Sequence, residues 1–203
     1  MIPKMKPYKV TLIGDPLVGK TMISNSLVNK PFNDNYKATV GASMVKIQYN
    51  DKETGEPTWF YLWDTAGQEK YKSLAPVYFQ DSDSVIIVYD VADEKSFQNV
   101  LSWHKLYKDN VSKFEDRKIL IVGNKIDLRG NGQMEDDQST TFVDTNRGEN
   151  LASKLECDHI EVSAKTGKNI ELIIEKMVEY SKLIHVSREE SIITNADTKS
   201  SCC

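Results

Sequence analysis

The residues best suited to chemistry lie near the start of the chain, in the segment 14–21, GDPLVGKT. This segment matches the pattern G-x-x-x-x-G-K-[ST] and lies between a predicted strand and a predicted helix, the context that the pattern requires. Its glycines allow the backbone to curl, so that successive amides point at phosphate oxygens near the positive end of the helix. Lys20 is expected to reach the β- and γ-phosphates, and Thr21 to coordinate Mg²⁺. The segment predicts a bound nucleoside triphosphate. ATPases and nucleotide kinases share this pattern, so it does not identify the base of the nucleotide.

A second cluster of polar residues follows the predicted strand 119–122 and indicates which base is bound. Asn124 and Asp127 stand in the run GNKID at 123–127. An aspartate at the carboxyl end of a strand can accept paired hydrogen bonds from the ring N–H and the exocyclic amine of guanine. Adenine does not present that donor pair, so the two side chains are expected to select guanine.

Several segments together resemble the GTPases of the Ras superfamily. The N-K-x-D run at 124–127 and the S-A-K run at 163–165 resemble the base-recognition motifs of that superfamily, and WDTAGQE at 63–69 matches a segment of Ras-like GTPases. With the phosphate segment, the resemblance covers essentially residues 8–184. It implies that the chain binds GTP and GDP with Mg²⁺ and changes shape when the γ-phosphate is lost.

The resemblance also assigns roles around the base. The backbone N–H of Ala164 would meet the guanine carbonyl, and Lys125 and Lys165 would lie along the plane of the base. Phe32 falls where an aromatic side chain covers the guanine edge in the family.

Around the γ-phosphate, the resemblance implies that Asp64 holds Mg²⁺ through water and that the Gly67 amide senses the phosphate. Gln68 would orient the attacking water, and Thr39 would close onto Mg²⁺ and the γ-phosphate. The two loops at about 33–43 and 66–79 are expected to relax after hydrolysis. The expected catalytic residues are Gln68, Lys20 and Thr39; the expected metal ligands are Thr21, Thr39 and Asp64; and the expected nucleotide contacts are Asp15, Leu17, Val18, Gly19, Lys20, Thr21, Met22, Phe32, Thr39, Gly67, Asn124, Lys125, Asp127, Ser163, Ala164 and Lys165.

Two features bear on the rate of hydrolysis. No arginine precedes Arg117, so neither switch loop can supply a neutralising arginine, and slow turnover that depends on an activating protein is expected. Pro16, which has no backbone N–H, lies where many relatives have glycine or a small polar residue, and this puts sensitivity to an activator in question. A non-hydrolysing, GTP-loaded scaffold is therefore a second reading. A nucleotide phosphotransferase is a third, although the 116 residues before Arg117 lack the arginines of a catalytic lid.

Other stretches resemble the Rab branch of the superfamily, namely VGASM at 40–44, QEKYKSLAP at 68–76 and VIIVYDV at 85–91. The SLAP segment at 73–76 most resembles endosomal Rabs. Trp63 and Tyr78 fit two positions of the aromatic triad that Rabs present to effectors, while Met44 replaces the usual third aromatic. The Rab resemblance implies a role in vesicle trafficking. It also implies effectors, an exchange factor, an activating protein and an escort or GDI-type lipid chaperone as partners.

Strands and helices alternate along the chain, which predicts an α/β fold. The resemblance makes it a P-loop GTPase fold, with a six-stranded, mostly parallel sheet, one antiparallel edge strand, and helices on both faces. A turn-rich connector at 50–55 predicts a hairpin between the second and third strands. Helices are expected after Lys20, near Lys72, and after Ser96, Asn146 and Asn169, with a long surface loop at 129–146. The predicted strands are 8–13, 45–49, 58–63, 85–89, 119–122 and 159–162.

Composition excludes some functions and suggests a location. A net charge of −4 and a pI near 5.5 disfavour nucleic-acid binding. No apolar run approaches the roughly 18 residues of a spanning helix, and residues 1–10 lack the apolar stretch of a signal peptide, so a cytosolic protein is expected. The domain is expected to span 1–184, followed by a flexible tail at 185–203. The adjacent Cys202 and Cys203 resemble the doubly prenylated ending of Rabs, which implies a peripheral anchor on the cytosolic face of endomembranes.

Overall fold

The computed structural model describes most of the chain, and the fold below concerns that part only. The described residues are 7–32, 39, 41–51, 55–65, 75–111, 117–129 and 142–197.

Six strands form one sheet: β1 (Tyr8–Gly14), β2 (Ala42–Asn50), β3 (Pro57–Thr65), β4 (Ser84–Asp90), β5 (Lys118–Asn124) and β6 (Asp158–Glu161). Their order across the sheet is β2-β3-β1-β4-β5-β6. β2 runs antiparallel to β3, and every other neighbouring pair is parallel. All six predicted strands are present, and the prediction of a mostly parallel sheet with one antiparallel edge strand is confirmed.

Helices cover both faces of the sheet, as predicted. They are α1 (Lys20–Leu27), α2 (Ala75–Phe79), α3 (Glu94–Gln98), α4 (Val100–Asn110), α5 (Thr145–Lys154) and α6 (Ile170–Asp197). Side chains alternate along the strands, so that Leu12 joins a core with Ile23 of α1 and Ile173 of α6. The neighbouring Ile13 joins a second core with Trp103 of α4. Burial on both faces explains the almost continuous apolar runs of the central strands.

The parallel strands bring their carboxyl ends to one edge of the sheet, where ligands bind in open α/β sheets. Gly14 at the end of β1 is paired with Val88, and Asn124 at the end of β5 is paired with Asp90. A Cβ at Gly14 would lie 2.2 Å from the Val88 carbonyl oxygen, so a side chain there would collide with β4. The close packing of β1 on β4 therefore requires glycine where the phosphate segment begins.

The C-terminal part of the chain differs in one respect from the sequence prediction. α6 continues to Asp197, so the stretch predicted as a flexible tail begins as an extension of the last helix. A helix is possible there because no proline or glycine interrupts residues 185–197. The division of the chain at residue 184 stays a prediction, as does the loop at 129–146, of which residues 130–141 lie outside the described part. In the described part, no helix combines the length and the apolar character needed to cross a bilayer.

Candidate functional site

Lys20 lies at the centre of the phosphate segment, buried beneath its backbone. Its Nζ donates to the carbonyl oxygens of Gly14 at 2.9 Å and Asp15 at 2.7 Å. Burial lowers the pKa of Lys20 to about 8, against the opposing charges of Asp64 and Asp15. Both hydrogen-bond acceptors are neutral carbonyls, so the ammonium charge is available to an anionic ligand.

The backbone of the segment adopts a positive φ, which favours glycine, at three positions: Gly14, Leu17 and Gly19. Gly19 has φ +98°, and a Cβ there would lie 2.3 Å from the Asn124 Nδ2 atom. Leu17 has φ +63° although it is not glycine, a conformation that costs an L-residue roughly 1–2 kcal/mol. Its side chain is 70% exposed, and the neighbouring Pro16 is exposed as well. The segment is therefore strained at the position next to Pro16.

A cluster of oxygen atoms lies beside Lys20, where the C-terminal end of β3 meets the start of α1. The Thr21 hydroxyl donates to Asp64 Oδ2 at 2.6 Å, and it lies 2.8 Å from the Thr39 hydroxyl. Asp64 is 1% exposed, and its Oδ1 has no hydrogen-bond partner in the described part of the chain. Burial raises the pKa of Asp64, while the Thr21 bond and the Lys20 charge oppose that shift. Three oxygen-bearing side chains, one of them a buried carboxylate, present the hard oxygen ligands that suit Mg²⁺.

Asn124 bridges two loops of the site. Its Nδ2 donates to the Val18 carbonyl at 2.9 Å, and its Oδ1 accepts the Ala164 backbone N–H at 3.1 Å. The residue is 1% exposed, so both polar ends of the amide are used inside the protein. The sequence predicted that Asn124 and the Ala164 N–H face the base. In the structure these two groups bond to each other and tie the phosphate segment to the loop after β6, and their contacts with the base stay predictions.

Asp127 and Ser163 form a second pair at the same edge. The Ser163 hydroxyl donates to Asp127 Oδ1 at 2.6 Å and accepts the Thr166 N–H at 3.1 Å. The bond fixes one oxygen of a carboxylate that is half-exposed, which orients the group for paired hydrogen bonding.

The remaining predicted base contacts lie around this pair. Lys125 pairs with Asp90 Oδ2 at 2.7 Å, a partner that the sequence did not suggest. Lys165 and Phe32 are exposed. Met22 is half-buried and packs against the first core, so its side chain serves the fold.

Four predicted functional residues lie outside the described part of the chain. They are Gly67, Gln68, Cys202 and Cys203, and their roles stay predictions. Of the predicted aromatic triad, Met44 is exposed and directly opposite Trp63 in the β2–β3 ladder. Tyr78 lies near the first switch, because a Cβ on Gly41 would lie 3.7 Å from its hydroxyl.

Two residues of the site were not found from the sequence. Asn99 and Trp103 both donate to the carboxylate of Asp15. They lie far from Asp15 in the chain and in no recognised motif, so only the fold reveals them.

Comparison with known proteins identifies the family. The Ras family model matches residues 9–182, which is most of the chain. The chain belongs to the Ras family. It is 33% identical to the Ras-related protein SEC4 of Saccharomyces cerevisiae over 208 residues, covering 96% of this chain and 90% of that protein. It is 36% identical to the Ras-related protein RABG3f of Arabidopsis thaliana over 168 residues, covering 80% of this chain and 76% of that protein.

A further relative is larger. The chain is 40% identical to the Ras and EF-hand domain-containing protein of Xenopus tropicalis over 185 residues, which cover 91% of this chain. The chain spans only 23% of that protein's length. The family match and the similarity to SEC4 and RABG3f show that the chain is a Rab-like small GTPase of the Ras superfamily.

The bridge made by Asn124 in this GTPase predicts an effect on stability. Asn124→Ala leaves a buried carbonyl and a buried N–H without partners, so the free energy of unfolding is expected to fall by about 1–3 kcal/mol. Urea denaturation measures it. Asn110→Ala is the control, because Asn110 donates a similar 2.8 Å bond to the Leu106 carbonyl at the surface. Equal losses in the two variants would contradict the bridging role.

Proposed function

We propose that this protein is a Rab-like switch that binds GDP or GTP with Mg²⁺ and recruits effectors to membranes in vesicle trafficking. One observation carries the proposal. A buried lysine, a cluster of oxygen donors and a fixed carboxylate converge at the carboxyl edge of the sheet, contributed by Lys20, Asp64 and Asp127. Each fits a different part of a guanine nucleotide, in the order phosphate, metal and base.

At the phosphate end, Lys20 binds the β- and γ-phosphates, and Thr21, Thr39 and Asp64 hold Mg²⁺. The metal would neutralise charge on the β- and γ-oxygens. Thr39 reaches this cluster from the first switch loop through the hydroxyl of Thr21. Loss of the γ-phosphate would weaken that hold, which is the basis of a nucleotide-dependent change in shape. Gly67 and Gln68 are proposed to complete the site, in the roles that the family likeness gives them.

At the base end, Asp127 accepts the two guanine donors. Asp127→Asn replaces one acceptor with a donor, so affinity for GDP is expected to fall and affinity for xanthosine diphosphate to rise, because xanthine presents a carbonyl where guanine has its amine. Competition against a fluorescent GDP analogue measures both. Asp109→Asn, an exposed change on α4, is the control. An unchanged preference in Asp127→Asn, or ATP binding as tight as GTP binding in the parent, would contradict the guanine assignment.

Hydrolysis is proposed to be slow without an activating protein. The arginine side chains that the structure describes are all ion-paired: Arg117 with Asp83, Arg129 with Glu161, and Arg147 with Glu94. Arg117 precedes β5, at the edge of the sheet opposite the site. A transition-state charge on the γ-phosphate therefore lacks a described arginine to stabilise it.

An arginine supplied in trans is expected to raise single-turnover GTP hydrolysis by about 10³–10⁵. The measurement compares hydrolysis with and without the catalytic domain of a Rab-activating protein, and Gln68→Leu serves as the matched variant that loses water orientation. Fast hydrolysis by the protein alone would contradict the proposal. A GTP-bound protein that no activating domain stimulates would favour the alternative of a non-hydrolysing scaffold, which the exposed Pro16 beside the strained Leu17 supports.

Membrane attachment is proposed to depend on prenyl groups on Cys202 and Cys203. One lipid chain binds membranes only marginally, whereas two chains hold a protein stably. Residues 185–203 carry three acidic residues against one arginine and one lysine, so no polybasic segment assists the anchor.

Cys203→Ser is expected to shift most of the protein from the membrane fraction to the supernatant in cells. Cys157→Ser is the control, because Cys157 is half-buried in the domain and its substitution leaves both terminal cysteines in place. A Cys203→Ser protein that remains fully membrane-bound would contradict the two-chain anchor.

A further inference from the structure

We propose that Asn99 and Trp103 are positioning residues for the nucleotide, because they hold the carboxylate of Asp15 and thereby set the shape of the phosphate segment. This inference rests on the proposed function, since it concerns the same site. It adds α4 as the element that supports the phosphate segment from outside.

The geometry is a two-pronged clamp on one carboxylate. Asn99 Nδ2 donates to Asp15 Oδ2 at 2.6 Å, and Trp103 Nε1 donates to Asp15 Oδ1 at 2.7 Å. Each carboxylate oxygen thus accepts a different donor. Bonds to an ionised acceptor are stronger than bonds between neutral groups, and two of them fix both the position and the rotation of the carboxylate.

The clamp is itself rigid. Asn99 and Trp103 are four residues apart at the start of α4, so their side chains lie on the same face of the helix. The Trp103 backbone N–H donates to the Asn99 carbonyl at 3.0 Å. Trp103 is 3% exposed and packs in the second core with Ile13 and Tyr107. This packing therefore fixes the position of the indole N–H that donates to Asp15.

The charge of Asp15 explains why such a clamp matters. A carboxylate in the segment that receives a polyphosphate would repel it if the side chain turned inward. The clamp holds that charge toward α4. It also places the Asp15 carbonyl, which accepts a hydrogen bond from Lys20 Nζ at 2.7 Å.

The next two residues make the segment depend on this support. Pro16 offers no N–H for a stabilising bond, and Leu17 is held at φ +63°, where an L-residue is strained. Backbone strain persists only where surrounding contacts fix the conformation. The bonds to Asp15 supply such contacts immediately before the strained residue.

Asn99→Asp tests the clamp by placing a second carboxylate against Asp15. The side chain of Asn99 makes no capping hydrogen bond to α4, so the substitution removes no cap from that helix. Repulsion between the two carboxylates is expected to speed dissociation of a fluorescent GDP analogue about tenfold. This is the change expected from the loss of one charge-assisted hydrogen bond. Ser102→Asp is the control, since it adds the same charge at an exposed position of α4 and is expected to leave the rate unchanged.

The double variant Asp15→Asn with Asn99→Asp exchanges the two groups. The new asparagine can donate to the new aspartate and still accept the Trp103 N–H, so both bonds are kept. The dissociation rate is expected to return to within about threefold of the parent value. That change is smaller than the one expected from losing a hydrogen bond to a charged group. A purely local effect of the substitution on α4 predicts no such rescue.

The clamp has a readout that does not involve nucleotide kinetics. Hydrogen exchange of the Trp103 indole N–H, followed by NMR, is expected to be slow in the parent and faster in Asp15→Ala. Equal exchange in both, equal dissociation rates for Asn99→Asp and Ser102→Asp, or a double variant as impaired as Asn99→Asp would overturn the positioning role. A parent protein that binds no GDP analogue would instead overturn the proposed function.

Discussion

The parallel pairing of β1 with both β3 and β4 is the constraint on which the rest of the site depends. It brings the end of β1, where the phosphate segment begins, beside Asp64 at the end of β3. The approach of β1 to β4 is so close that Gly14 has no room for a side chain beside Val88. The chain therefore turns at Gly14 in a way that places Lys20 and Thr21 against the β3 carboxylate. Without this pairing, the motif residues would be close in sequence but would face no metal ligand.

The charges at this edge are complementary to a ligand. Burial acts on Lys20 and Asp64 in opposite directions, lowering the pKa of the lysine and raising that of the carboxyl, because it disfavours the charged form of each. A bound polyphosphate would stabilise the charged form of Lys20, and a bound divalent cation would stabilise the charged form of Asp64. Oδ1 of Asp64, which has no hydrogen-bond partner among the described residues, is consistent with this interpretation, since buried carboxylate oxygens are rarely left without a partner.

The two departures from the family pattern noted in the sequence, Pro16 and Met44, lie at exposed positions. Pro16 lies on the phosphate segment, and Met44 lies opposite Trp63 on the hairpin. The groups that hold the fold and the nucleotide site together, such as Asn124 and Asp15, are fully or partly buried and hydrogen-bonded. Both departures therefore lie where an activator or an effector is proposed to bind.

The sequence alone determined the six strands, the hairpin and the position of Lys20, Asp64 and Asp127 near the carboxyl ends of strands, because these depend on short-range patterns of apolar residues, glycines and motif spacing. It did not reveal the clamp of Asn99 and Trp103 on Asp15, whose members lie 84 and 88 positions away. It also did not reveal the contacts of Asn124 with Val18 and Ala164, while the contact of that residue with the base stays a prediction. Contacts of this kind depend on which strands become neighbours and at what register, and local sequence carries no record of that choice. The extension of α6 to Asp197 is a smaller case, because a polar composition indicates solvent exposure without deciding between helix and coil.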